Sequence, residues 1–547
     1  MTRLGGHVIA DQLVVQGVDT VFGVAGESFL SILDGLWERR DQIRYVAARH
    51  EATASHMAEA WGKLTGRPGV CLATRGPGAA HASIGVHTAF QDSTPMLLLL
   101  GQVRREHQGR EAFQEVDLPA MFAPLAKWVA QIGTADDIPE MLGRAFEIAL
   151  ADRPGPVVLA LPEDMQREKT GVSDAPFAEP ALREPDAADL DRLHTWLGDA
   201  AQPLVILGGP RWSQASADAL AAWAVASAVP VATQFRRQDR IDNASPAYVG
   251  DLGLGTNPAL EARVAEADLV VLLGGRFGEI PSGGYTRLPL ERRLGHLVAH
   301  VHADPAELGR VWHPDLAIPA TAPLVVDGLV ARGPLGRQSR AMWAQALRGD
   351  YESWSEPALR DLAGVDLGQV VRHLRDTLPD DSVITNGAGN YAVWIHRYYR
   401  HRRFGTQLAP TSGAMGYGVP AAISAALHDP SRPVVAFAGD GCFQMAGHEL
   451  ATAVQVGARI IVLVCDNGML GTIRMHQERS FPGHVEGTAL ANPDFAALAA
   501  AYGCHAERVE RDADFPAAFA RALAAKRPAL LHLVTDPAAI TPNALLA

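Results

Sequence analysis

The stretch from Val434 to Gly471, VVAFAGDGCFQMAGHELATAVQVGARIIVLVCDNGMLG, constrains the fold more than any other. It opens on an apolar run, Val434 to Ala438, that reads as a buried strand. The run breaks at Gly439-Asp440-Gly441, and a helical segment is expected over about 444–456. A second apolar run, Ile460 to Val464, breaks at Asp466-Asn467-Gly468. Strand, loop, helix, strand and loop make a βαβ unit, with both loops at the carboxyl ends of parallel strands, where open α/β sheets bind ligands. The loops offer one carboxylate (Asp440), one amide oxygen (Asn467) and glycine-flanked backbone. Such oxygens suit a hard divalent cation, and Mg²⁺ commonly shares its ligands with a phosphate. The N–H groups of Gly441 and Cys442, at a helix start, are expected to meet that phosphate. Gly-Asp-Gly alone fits a plain turn with a solvated Asp equally well; the paired Asn loop favours the metal–phosphate reading.

The rest of the chain repeats the pattern. A helix over about 5–16 leads to a strand at Thr20 to Val24 and the turn Ala25-Gly26-Glu27-Ser28. Strand Ile43 to Ala48 runs into Arg49-His50-Glu51, then a helix from Ala52 to Thr65. Strand Val70 to Ala73 ends in Thr74-Arg75-Gly76-Pro77-Gly78, and Met96 to Leu100 is another apolar strand. Glu51 falls at a strand-to-helix joint, where a helix N-terminus favours a carboxylate and where simple capping is the plainer role. Residues 167–188 are polar and proline-bearing, a linker. A second block has strands at Pro203 to Leu207, Pro230 to Thr233, Leu269 to Leu273 and Leu297 to His302. A second linker is expected at about 333–341. The third block starts with strand Ser382 to Thr385 and the loop Asn386-Gly387-Ala388-Gly389-Asn390-Tyr391. Residues 492–525 read as helical, before a strand at Leu530 to Val534. The fold class is therefore α/β, with three doubly wound parallel-sheet domains over 1–170, 186–332 and 342–547.

A formal net charge of −13 argues against bulk nucleic-acid binding and against docking on an anionic membrane. The four cysteines have neither metal-ligand spacing nor the density of a disulfide scaffold. No run reaches the ~18 apolar residues of a membrane span. A cytoplasmic enzyme is the expectation.

Gly439-Asp440-Gly441 followed some two dozen residues later by Asp466-Asn467 resembles the fingerprint of the thiamine-diphosphate-dependent enzymes. Arg49-His50-Glu51, Gly76-Pro77-Gly78 and Asp92-Ser93-Thr94-Pro95 lie in the order of that family's pyrimidine-binding domain. The family usually has Asn-Asn where this chain has Asp466-Asn467; the metal-ligating second position is kept. The resemblance implies Mg²⁺ held by Asp440, Asn467 and the carbonyl of Met469, with two diphosphate oxygens. It implies that Glu51 is the catalytic glutamate, hydrogen-bonded to the pyrimidine so that a very weak carbon acid, thiamine C2, can lose its proton. Gly76, Gly389, Asn390, Tyr391, Gly441, Cys442, Leu470 and Gly471 would contact the cofactor. The Gly413 carbonyl and the Met415 N–H would meet its pyrimidine, and the Met415 side chain would hold its rings bent.

Ala112-Phe113-Gln114-Glu115 and Gly471-Thr472-Ile473-Arg474 resemble the acetolactate synthase (acetohydroxyacid synthase) branch. Gln114, with Phe113 beside it, would lie near substrate. That branch usually has Pro-Gly-Gly where this chain has Ala25-Gly26-Glu27, Pro-Lys-Asp where it has Pro162-Glu163-Asp164, and Trp at His476. Glu27 is expected to face the same cleft as Glu51, as an added acid or base or as a repulsive element against carboxylate acceptors. In this branch the central domain holds FAD; Gly278-Glu279-Ile280-Pro281 departs from its charged Asp-Asp-Arg segment, so FAD is not expected, although it stays open. The implied reaction is C–C bond formation or cleavage on a 2-oxo acid or related carbonyl, ending as carboligase or decarboxylase. The implied assembly is a homodimer or homotetramer with active sites between subunits. A non-catalytic cofactor-binding paralogue and a flavin or nicotinamide oxidoreductase are the alternatives.

Overall fold

The computed structural model describes residues 2–289, 295–336 and 340–546. Residues 337–339, inside the linker expected at 333–341, lie outside the described residues. Each of three domains is built on a six-stranded, all-parallel sheet flanked by helices. The first sheet contains β1 (Thr20–Gly23), β2 (Arg44–Ala47), β3 (Gly69–Ala73), β4 (Met96–Gln102), β5 (Trp128–Gln131) and β6 (Pro156–Pro162), in the order β2-β1-β3-β4-β6-β5. The second contains β7 (Pro203–Leu207), β8 (Val231–Gln234), β9 (Tyr248–Leu252), β10 (Leu269–Leu273), β11 (Leu297–Val301) and β12 (Leu316–Ile318), in the order β9-β8-β7-β10-β11-β12. The third contains β13 (Val383–Asn386), β14 (Gln407–Leu408), β15 (Val434–Gly439), β16 (Ile461–Asp466), β17 (His505–Val509) and β18 (Ala529–Val534), in the order β14-β13-β15-β16-β18-β17. The first and third sheets thus share one strand order.

The central strands are near-continuous apolar runs because helices cover both faces. Every residue of β4 and β6 is buried. Edge strands break that rule. β17 reads HAERV and is only half-buried, and it sits where a single helix is expected over 492–525. The structure has helices at Phe495–Ala501 and Phe515–Ala524 with β17 between them. The helix expected over 444–456 is likewise broken, into Asp440–Gln444 and Leu450–Val456. Between them Glu449 turns inward to accept the Arg49 N–H at 2.9 Å and the Thr53 hydroxyl at 2.5 Å. The 167–188 linker is strapped down rather than free. Lys169–Thr170 pairs antiparallel with Arg3–Leu4, and the Gln12 and Gln16 side chains bond the backbone of Ala175, Pro176 and Ala178.

Helix α1 (Glu51–Thr65) packs on α2 (Gly76–Asp92) and on α3 (Gly418–His428) of the third domain. One apolar cluster therefore runs from the first domain into the third. Where they meet, the Ser424 hydroxyl donates to the Met57 carbonyl at 2.8 Å. The Asp92 carboxylate, fully shielded, joins all three domains. It takes Lys63 Nζ at 2.9 Å, Arg237 Nη2 of the central domain at 2.9 Å and the Thr411 N–H of the third at 3.0 Å. All four cysteines are buried and free. No helix among the described residues is long and apolar enough to cross a membrane.

Buried histidines make the fold acid-sensitive: His396, which burial holds well below its ordinary value, and three more. Burial pushes His56 down to about 3, and His300 and His401 each down to about 4. All three are neutral in the fold but titrate near 6.5 once unfolded. Their contribution is complete above pH 6.5 and drains away as pH falls toward their folded values. The slope is about 1.4 kcal/mol per pH unit for each histidine, offset in part by the Asp251 carboxyl, which burial pushes up to about 7. Urea unfolding at pH 7.0 and 5.5 should show a stability difference smaller by about 1 kcal/mol in His56→Leu than in wild type. An equal pH dependence in the two proteins would contradict the assignment.

Candidate active site

Asp440 opens a short helix where β15 ends, and is 3% exposed. Its Oδ1 accepts the Gly441 N–H at 2.8 Å and its Oδ2 accepts Asn492 Nδ2 at 2.8 Å. The same Asn492 nitrogen donates to Asp466 Oδ1 at 2.7 Å, and the His532 ring lies 2.8 Å from Asp466 Oδ2. Burial, reinforced by Asp466, pushes Asp440 up to about 6. Burial alone would raise Asp466 too, but His532, Asn492 and the Gly468 N–H hold it below the usual carboxylate range.

The second loop follows β16. Asn467 Oδ1 accepts the Met469 N–H at 3.3 Å, and the Met469 carbonyl accepts the Gly471 N–H at 2.9 Å. Bonds from Leu470 N–H to the Thr488 carbonyl and from Leu490 N–H to the Gly468 carbonyl fix its shape. A Cβ on Gly441 would come within 2.7 Å of Leu470 Cδ2, so a larger residue there would push the Leu470 side chain aside. Asp440, Asn467 and the Met469 carbonyl form an all-oxygen donor set, which fits Mg²⁺.

These loops open on a cleft of about 260 Å³ that gathers Gly389, Asn390, Tyr391, Gly413, Met415, Asp440, Gly441, Cys442, Asn467, Met469, Leu470 and Gly471. Asn390 ties the opposite wall to the helix that follows the Asn467 loop: its Oδ1 accepts the Thr472 hydroxyl at 2.9 Å, and its N–H donates to that hydroxyl oxygen at 3.0 Å. Two phosphate-facing expectations change. The Gly441 N–H is taken by Asp440. The Tyr391 hydroxyl turns inward, accepting the Gly387 N–H at 3.1 Å and donating to Cys442 Sγ at 3.4 Å, so it braces the loop. Arg360, Trp394, Thr535 and Ile540 also line the cleft, and no sequence signal marked them. Asn492 and His532 were equally unmarked.

The other candidates lie on the first domain. Glu27, Glu51 and Gly76 follow β1, β2 and β3, three adjacent strands, at the carboxyl edge of the sheet. Glu51 starts α1 behind an N-cap His50, whose Nδ1 accepts the Ala52 N–H at 3.1 Å. Glu51 Oε2 lies 2.9 Å from His81 Nδ1. The Gly76 N–H donates to the Gln114 carbonyl at 3.1 Å, and Gln114 adopts φ 63°. Glu27 is exposed, and Phe113 is 78% exposed beside Gln114. Among the described residues, none from the first domain lines the 260 Å³ cleft. The Glu27, Glu51 and Gly76 turns and the 260 Å³ cleft are thus separate features among the described residues.

A cavity of about 350 Å³ lies where the three domains meet, at the switch point where strand order reverses between β7 and β10. Gly208 and Gly275 end those strands, but Gln234 lies against both. A Cβ on Gly208 would come 2.7 Å from its Cδ, and one on Gly275 would come 2.4 Å from its Nε2. Gln234 thus lines the cavity and lies against both glycines.

Residues 3–121, 190–329 and 387–533 match, in that order, the N-terminal TPP binding domain, the central domain and the C-terminal TPP binding domain of the thiamine pyrophosphate enzymes. The chain is 30% identical to the acetolactate synthase isozyme 2 large subunit of Escherichia coli (strain K12), over 97% of this chain and 95% of that one. It is 30% identical to the acetolactate synthase large subunit of Lactococcus lactis, over 91% and 87%. It is 28% identical to a probable acetolactate synthase large subunit of Methanocaldococcus jannaschii, over 98% and 93%.

Proposed function

The chain belongs to the thiamine pyrophosphate enzyme family, in its acetolactate-synthase-like branch, and from this we propose a thiamine-diphosphate-dependent carboligase acting on 2-oxo acids. The observation that carries the proposal is the single cleft in which the oxygen donors Asp440, Asn467 and Met469 face the Gly389-Asn390 loop. Asp440, Asn467 and the Met469 carbonyl would hold Mg²⁺, and Gly389 and Asn390 would border the diphosphate. When bound, the cofactor supplies the nucleophilic carbon that lets a 2-oxo acid lose CO₂. Glu51 is the carboxyl that exchanges a proton with the cofactor's pyrimidine ring, and a partly shielded carboxyl suits that task. Gly413 and Met415 seat the ring system, and Gln114 borders the substrate. Glu27, absent from the branch's usual pattern, bears on acceptor choice through its charge; an unchanged product mix in Glu27→Gly would remove it from this role.

Because Glu51 lies outside the cleft that Asp440 lines, we propose that the working site forms between two copies of the chain, the first domain of one closing on the third domain of the other. The Gln234 side chain, lying against Gly208 and Gly275, is the ground for proposing an enzyme without FAD; a cytoplasmic setting is proposed from the family alone.

The test is incubation of the purified protein with thiamine diphosphate, Mg²⁺ and pyruvate, with products identified by NMR and the absorption spectrum checked for flavin bands. Acetolactate is expected, with activity reduced at least about 100-fold in Glu51→Gln, the scale of a lost acid–base group. Acetaldehyde alone would make the protein a decarboxylase. Silence across a panel of 2-oxo acids, acyl-CoA substrates and hydroxyketones would overturn the enzymatic reading.

A further inference from the structure

His81 stands beside Glu51 on the second turn of α2. Its Nδ1 lies 2.9 Å from Glu51 Oε2. Its ring stacks on His50, with centroids 4.3 Å apart and planes 30° apart. His50 is itself fixed by the N-cap bond from Ala52. One hydrogen bond and one stack therefore hold the imidazole against the carboxyl. The Glu51 side chain is 13% exposed and the His81 side chain 50%, so the pair runs from a shielded carboxyl outward to an open ring edge.

Resting on the function proposed above, we propose that His81 is a positioning residue that orients the Glu51 carboxyl and relays its proton to solvent. An imidazole suits this role because it takes a proton at one nitrogen and releases one at the other. In the relay the Glu51 O–H proton passes to His81 Nδ1 while the Nε2 proton passes to water. The carboxylate is regenerated, the ring stays neutral and its tautomer switches. The reverse sequence recharges Glu51.

The surroundings support a neutral relay rather than a bound metal. His50, Glu51 and His81 offer ligand atoms within 4.8 Å of one another. Lone pairs lie in the ring planes, however, and two stacked, near-parallel rings do not aim theirs at one point. His50 Nδ1 is also committed to the backbone. The other titratable groups facing the cluster are Tyr45 and Cys71, both kept neutral by burial, and His448 and Glu449 from the third domain. Burial and the neighbouring His81 lower His50 as well, which disfavours its charged form.

Three measurements test the relay. The first is the exchange rate of the cofactor's C2 proton for deuterium, read by NMR in wild type, His81→Ala and His81→Asn, with melting curves confirming that both variants fold. Asn can still donate to Glu51 but cannot pass a proton on. Exchange is expected to slow roughly 100-fold in Ala and to stay slow in Asn, at unchanged cofactor affinity in Asn. The second is rescue: added imidazole should speed His81→Ala and leave His81→Asn unmoved. The third needs no cofactor. In ¹⁵N spectra of the free protein, the His81 ring should carry its proton on Nδ1, facing Glu51, and lose that preference in Glu51→Leu. Wild-type exchange in His81→Asn, or failure of imidazole to rescue His81→Ala, would overturn the relay. Should wild type fail to bind thiamine diphosphate, the proposed function fails instead, and the tautomer measurement still decides the His81–Glu51 link.

Discussion

Alanine at Asp440 is expected to cost the protein its metal-dependent hold on thiamine diphosphate. Asp440 supplies the only full charge in the oxygen donor set, and Asn467 and the Met469 carbonyl cannot replace it. Loss of an outer partner of a metal ligand typically weakens binding 10–100-fold, so loss of the ligand itself should exceed roughly 100-fold. Asn492→Ala belongs in the lower range, because Asn492 touches Asp440 and Asp466 at 2.8 and 2.7 Å. Calorimetric titration of thiamine diphosphate with and without Mg²⁺ reads both effects. Equal affinity in Asp440→Ala and wild type would remove the metal assignment, and with it the main support for the proposed function.

The second large effect concerns stability. Asp92→Ala leaves Lys63 and Arg237 buried without their shared counter-charge. Burial alone would raise the Asp92 carboxyl, yet Lys63, Arg237 and the Thr411 N–H hold it far below the usual carboxylate range. Removing one member of such a buried network costs about 3–5 kcal/mol, mostly as stranded charge. Lys63 keeps a weaker partner in Glu59 at 3.2 Å, and Glu59 in turn accepts from Tyr417 and Thr94. The double variant Asp92→Ala/Arg237→Met should therefore recover part of the loss. Denaturant unfolding of the single and double variants measures this. A single-variant effect under about 1 kcal/mol would show that the network is not what joins the domains.

Much of this architecture is legible in the chain itself, for a physical reason. A parallel sheet covered on both faces needs uninterrupted apolar strands, and β4, β6, β15 and β16 declare themselves that way. The ligand loops are legible because they follow those strands, so Asp440 and Asn467 can be paired before any coordinates exist. Edge strands satisfy a weaker condition. Half of each faces solvent, so HAERV and its alanine-rich flanks look helical. The supporting partners are illegible for another reason. Asn492 lies 52 residues from Asp440, and the bond between them depends on how a loop returns across the sheet. His81 meets Glu51 only through the packing of α2 on α1. The inward turns of Glu449 and Tyr391 answer to neighbours that no local pattern reports.

The strand order shared by the first and third sheets has a consequence for how such a chain can change over generations. Both domains keep their interiors in the strands and their polar groups in the turns beyond, so the same framework carries Glu51 in one domain and Asp440 and Asn467 in the other, the groups proposed above to handle the proton and the cation. Substitutions in those turns leave the hydrophobic layers untouched. Departures such as Glu27 for a glycine, or Asp466 for an asparagine, can accumulate without remaking the scaffold. Reaction preference is then free to drift among descendants of one gene while the architecture is inherited intact.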